Sequence, residues 1–152
     1  DLNATILYVT HDHVEATTMA DRIGVLKDGV LSQVGTPEEI YDNPNSIYVA
    51  NRLGSPKINI FDLDKIKIPS KNKATHAGIR PEDISITNKG NYDVYIETVE
   101  LLGAETVISF KSDDINGMLL TQTSDTFEKG KKIKIALNNK KMLYFDNNGM
   151  RI

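Results

Sequence analysis

Four side chains able to do chemistry crowd together near the start of the sequence: His11, Asp12, His13 and Glu15, within the run YVTHDHVEA of residues 8–16. A neutral imidazole can donate one N–H to a phosphate, or take up a proton near neutral pH. Two histidines flanking an aspartate could instead begin a metal site. That reading lacks a third and fourth ligand, because the chain has three histidines in all and no cysteine, so no metal is expected. From position alone, the bland reading of His11 is a surface or capped histidine. Asp12 followed by Glu15 has the spacing of a capping box, which makes both carboxylates helix-start residues before anything else. His76 stands alone in a β segment and reads as structural.

The elements around this cluster decide what it could face. Thr5 to Val9 (TILYV) is continuously apolar and β-rich, the pattern of a strand buried on both faces of a parallel sheet. His11 would then lie just beyond the carboxyl end of that strand, where open α/β sheets bind ligands. A helix is expected from His13 to about Ala20 and a strand from Arg22 to Leu26. Asp28-Gly29 supplies a tight hairpin turn, and Val30 to Val34 returns. Thr36-Pro37-Glu38-Glu39 predicts a helix with Thr36 as N-cap and Glu39 closing the box. Asn43-Pro44 interrupts it, and a second helix runs from about Ser46 to Leu53, stopped by Gly54.

After Gly54 the texture changes. INIF, KIKI, ISI, YDVYIETVELL, ETVISF, GMLLTQT, KKIKIAL and MLYF are short and often alternating. Gly or Asn punctuates them at Gly78, Gly90, Gly103, Asn116-Gly117, Gly130 and Asn138-Asn139. That is an all-β pattern, and for this length a small barrel is the natural closure. The boundary falls between residues 1–54 and 55–152. TILYV has no parallel neighbours in sight, so residues 1 to about 20 are expected to be non-native in conformation or paired with a second copy, and the fold expected is α+β: the remnant of a larger α/β domain followed by an OB-like barrel able to fold without it.

Composition narrows the function. The chain has 39% hydrophobic and 26% charged residues, which argues against wholesale disorder. Residues 1–54 carry three Lys/Arg against eight Asp/Glu, and residues 55–152 fifteen against thirteen. Neither balance suggests a nucleic-acid partner, and Lys129, Lys131, Lys132 and Lys134 read as a solvated strand rim. Four Phe, six Tyr and no Trp make a thin aromatic platform for nucleic acid. No apolar run approaches a membrane span, so no direct membrane insertion is expected. Arg80-Pro81-Glu82 reads as a turn whose arginine pairs with a nearby carboxylate. Leu101-Leu102-Gly103 and Glu105-Thr106 read as a strand–turn–strand corner.

VTHDHVEA, MADRI, the DGV hairpin, VGTPEEIYDNP and GSPKINIF occur in that order. This run resembles the end of the nucleotide-binding domain of ABC importer ATPases, and more narrowly those of the maltose and glycerol-phosphate (sugar) type. GIRPED at Gly78 to Asp83 and ELLGAET at Glu100 to Thr106 resemble the transport-associated OB (TOBE) domain of the same family. The resemblance implies that His11 is the switch histidine, sensing the γ-phosphate of ATP and linking it to closure of two ATPase subunits. It marks Arg80, Pro81, Glu82, Gly103 and Glu105 as motif positions of a regulatory domain. It implies ATP and Mg²⁺ as cofactors of an intact parent, a second copy of the subunit and membrane permease subunits as partners, and a place on the cytoplasmic face of the membrane. The chain shows no GxxxxGK[ST] phosphate loop. The signature motif, the Mg²⁺-holding aspartate and the catalytic glutamate are also expected upstream of Asp1, so these residues alone should not hydrolyse ATP. Two alternatives stand beside this reading: a β domain that binds an oxyanion, and the ATPase of a polyamine or iron importer.

Overall fold

The computed structural model describes residues 4–66, 68, 73–122 and 126–152. These described residues are β-rich with three short α-helices. Helix α1 (His13–Met19) is followed by strands β1 (Ile23–Lys27) and β2 (Val30–Gly35), then by α2 (Pro37–Asp42) and α3 (Ile47–Ala50). Lys27 pairs with Val30 across the two-residue turn, with Asp28 at φ 50° and Gly29 at φ 78°. Those are the left-handed angles that a hairpin turn matched to strand twist demands. The expected box on α2 is complete: Thr36 Oγ1 accepts from the Glu39 N–H at 3.2 Å, and Glu39 Oε2 accepts from the Thr36 N–H at 2.9 Å. Ser46 caps α3, which is shorter than expected and gives way to a turn before Leu53.

Among the described residues, eight strands follow α3 in two antiparallel sheets. β3 (Asn59–Asp62), β4 (His76–Ile79) and β10 (Leu143–Phe145) form one sheet in the order β10-β4-β3. The other is β5 (Ile84–Ile86), β6 (Tyr92–Leu102), β7 (Glu105–Lys111), β8 (Asn116–Thr121) and β9 (Lys132–Leu137), in the order β5-β9-β6-β7-β8. Strand β6 serves two neighbours. Tyr92–Tyr95 pair with β9 and Tyr95–Leu102 with β7, and an irregularity between Ile96 and Thr98 interrupts the second ladder, as a bulge does. Ile79, Val94, Ile96, Ile108, Phe110, Leu119 and Ile135 fill the space between the sheets, all at most 2% exposed. The arrangement agrees with an OB-like β domain.

One side chain closes the seam between the sheets. Buried Asn59 of β3 accepts the Met118 N–H at 2.7 Å and donates to the Met118 carbonyl at 2.8 Å, as well as to Ile79 O at 3.2 Å. It does for β8 what a neighbouring strand would do. A Cβ on Gly117 would stand 2.5 Å from Asn59 Oδ1, so only glycine lets the amide approach this closely. Asn116-Gly117 therefore opens strand β8 rather than forming a turn. Gly78 is likewise inside a strand, β4, instead of punctuating one.

Two β-rich runs form no strand. Residues 5–9 adopt no regular structure and lie in solvent, with Ile6 83%, Leu7 91% and Val9 83% exposed. Every strand pairing among the described residues is antiparallel, so this run meets no parallel neighbour to bond it. In KIKI, Lys65 turns back with its N–H on Asp62 O at 3.0 Å, and Ile66 drops into the core as a loop residue. Lys67 of that run lies outside the described residues.

Residues 4–54 have a small core of their own: Ile23, Val25, Ile40, Val49 and Leu53, with Ala16, Ala20, Tyr41 and Tyr48 against it. A third cluster joins the two parts, with Ala50 and Ile47 of α3 packed on Ile58, Ile60, Leu143 and Phe145.

Candidate functional site

The candidate residues fall in three places. The first is the segment entering α1. Asp12 caps the helix, its Oδ1 accepting the Val14 and Glu15 N–H groups at 2.8 and 3.1 Å. These backbone bonds, Glu15's first, hold its carboxyl below the usual carboxylate range. The capping box is not closed by Glu15, however. Thr10 Oγ1 accepts the Asp12 N–H at 3.0 Å, while Glu15 Oε2 accepts from the Tyr8 and Thr10 hydroxyls at 3.2 and 3.0 Å. The hydroxyl occupies the donor that the box would use, and Glu15 instead ties the incoming segment to the helix. These contacts bend the segment 8–12 into α1 and leave His11 and His13 exposed. Among the described residues no group of three or more His, Asp or Glu side chains gathers where a metal could sit.

The second place is the seam beside Gly54. Arg80 is only 5% exposed and does not pair with a carboxylate, contrary to the expectation from sequence. Its Nη1 donates to Ala50 O at 3.1 Å and Leu53 O at 2.8 Å, and its Nη2 to Tyr41 O at 2.8 Å. The guanidinium lies over the Tyr41 ring, 3.8 Å from its centroid. Burial pushes the Arg80 pKa down, but three carbonyls and an aromatic face compensate the charge. Pro81 is buried and opens a single 3₁₀ turn, Pro81–Asp83, which turns Glu82 back so that it accepts the Tyr41 hydroxyl proton. Burial first, and the Glu82 carboxylate second, push the Tyr41 phenol well above its ordinary value.

The third place is the turn between β6 and β7. Gly103 sits at φ 77°, and Glu105 pairs with Leu102 as the ladder resumes. Leu101 and Leu102 stand in solvent, 79% and 60% exposed. Elsewhere, Lys132 and Lys134 both lie against Asp93, at 3.5 and 3.1 Å, as a solvated rim would. His76 Nε2 lies 3.4 Å from Asp62 Oδ1.

The TOBE domain family matches residues 77–145, a span from Ala77 in β4 to Phe145 at the end of β10 that includes Arg80, Pro81, Glu82, Gly103 and Glu105. The chain is similar to the sn-glycerol-3-phosphate import ATP-binding protein UgpC of Psychromonas ingrahamii, 42% identical over 132 residues, 77% of this chain and 35% of that protein. The protein of that name from Brucella abortus is 44% identical over 123 residues, 70% of this chain and 34% of its own length. The one from Chromobacterium violaceum is 32% identical over 166 residues, 95% and 45%. Residues 77–145 match the TOBE domain, and the chain is similar along most of its length to importer ATP-binding proteins. It spans between a third and a half of the length of these relatives.

Within this family frame, the TOBE match and the fold do not share a boundary. Asn59, which closes the barrel seam, lies ahead of the matched span, and so does Tyr41, which Arg80 grips. Sequence reasoning missed both. A lone amide inside the apolar run INIF was the available signal for Asn59. Tyr41 gave none, because its partners lie 39 and 41 positions away.

Proposed function

We propose that these residues are the C-terminal part of the ATP-hydrolysing subunit of an ABC importer for glycerol phosphate or a related sugar compound. Residues 1–54 are then the tail of its P-loop α/β domain, and residues 55–152 a regulatory, subunit-pairing OB-like domain. The observation that carries this reading is the similarity to importer ATP-binding proteins, which reaches across 95% of the chain and so through both parts. The bare, apolar Thr5–Val9 run supports it, being what a doubly buried strand becomes without its sheet.

In that setting His11 donates one N–H toward the γ-phosphate of ATP, and the bonds of Asp12, Thr10 and Glu15 hold the turn that presents it. ATP and Mg²⁺ are cofactors of the intact protein, held by parts other than these residues, whose sequence carries no phosphate loop. A second copy of the subunit and membrane permeases are the partners, at the cytoplasmic face of the membrane. No described helix is long and apolar enough to cross a membrane.

The test is direct. The intact protein should hydrolyse ATP, whereas residues 1–152 alone should neither hydrolyse it nor bind it in calorimetry at micromolar concentrations. An inactive intact protein, or micromolar binding by the 152 residues, contradicts the proposal.

A further inference from the structure

Helices α2 and α3 are six and four residues long, so most of their C-terminal carbonyls have no partner within the helix. Neither has a basic residue in its last turn, the ordinary local source of a cation for those carbonyls. The cation comes instead from across the seam. Arg80 reaches Tyr41 O at the end of α2, Ala50 O at the end of α3, and Leu53 O in the turn that follows. Tyr41 is held on two sides, by the stacked guanidinium and by Glu82 at its hydroxyl. Gly54 leaves the space this needs: a Cβ there would stand 3.1 Å from both Arg80 Nη1 and the Tyr41 ring. The C-terminal segment adds backbone bonds at the start of α3, with Ile47 N–H on Gly149 O at 2.8 Å and Arg151 N–H on Asn45 O at 2.9 Å.

We infer that Arg80 is a latch between the two parts of the chain, capping α2 and α3 in trans so that the helical pair folds and moves with the β domain. The cooperative unit then reaches back past the composition change near Ser55 to take in α2 and α3, on which the β1–β2 hairpin packs through Ile23 and Val25. This inference goes beyond the transport reading and does not depend on it.

Site-resolved hydrogen exchange on the 152-residue chain tests it, comparing Arg80→Met and Arg80→Lys with the parent. Charged hydrogen bonds of this kind are worth enough that Arg80→Met should speed exchange of the Ile40, Asn43, Ala50 and Asn51 amides by roughly 10- to 100-fold. The Ile96 and Met118 amides of the β domain should change far less. Arg80→Lys should restore only part of the protection, because one ammonium cannot span three carbonyls or stack as a plane. Unchanged exchange in α2 and α3, or equal acceleration throughout the β domain, overturns the latch. Should Arg80→Met fail to fold, Arg80→Lys decides alone. Selective acceleration in α2 and α3 supports the latch, and exchange that matches the parent or quickens everywhere contradicts it.

Discussion

Replacing Asn59 with alanine should open the seam of the barrel. The amide makes three hydrogen bonds, two of them to the backbone of Met118, and the residue is 6% exposed. Alanine leaves the Met118 N–H and carbonyl without their partner. A buried polar group left unsatisfied costs about 1–3 kcal/mol; Met118 is only partly buried, so the two groups together should cost about 2–4 kcal/mol. With a urea m-value of about 2 kcal/mol per molar, the unfolding midpoint should fall by about 1–2 M at unchanged m. Gly117→Ala should also destabilise, since its Cβ would stand 2.5 Å from Asn59 Oδ1. The clash needs the amide to be present, so the double variant should lose less than the sum of the singles. A midpoint within experimental error of the parent for Asn59→Ala would refute the seam as a stabilising device. Strict additivity of the pair would refute the close contact between the two residues.

Two further outcomes follow from the geometry. Asp12 has a depressed pKa because backbone N–H groups bond its charged form. Its contribution to α1 is therefore present above the unfolded carboxylate value of about 4 and is lost as pH falls through the lower folded value. Helical chemical shifts of His13–Met19 should fade in that acid range, and Asp12→Asn should abolish this pH dependence; persistence of it in the variant would assign it to another group. Gly54 sits at φ 105°, and Gly54→Ala should cost about 1–3 kcal/mol by backbone strain at a left-handed position, read as a drop in Tm, whereas an unchanged Tm would show that the turn relaxes freely.

What could be read from the sequence was local. The Asp28-Gly29 turn, the Thr36/Glu39 box and the Asp12 cap depend on residues within four positions of one another, and all three formed as read. The β texture after Gly54 was legible for the same reason, since alternation and turn residues act over a few positions. TILYV, expected to lose its strand form without neighbours, adopts no regular structure and lies exposed. Failures came where the deciding partner is distant. Arg80 was read as a surface residue paired with a carboxylate, because arginine is seldom buried. Here short helix ends some 30 residues earlier supply the carbonyls that make burial tolerable. Glu15 failed more subtly: the box spacing is correct, but the Thr10 hydroxyl reaches the Asp12 N–H first.

The role proposed for His11 is tested most directly by one pair of measurements on the intact protein carrying His11→Ala: ATP affinity and ATP hydrolysis. A residue that acts on the γ-phosphate at closure, while other parts hold the nucleotide, should leave affinity within about threefold of the parent and lower kcat by about 100-fold or more. Hydrolysis at the parental rate would contradict the assignment of His11 as the γ-phosphate sensor.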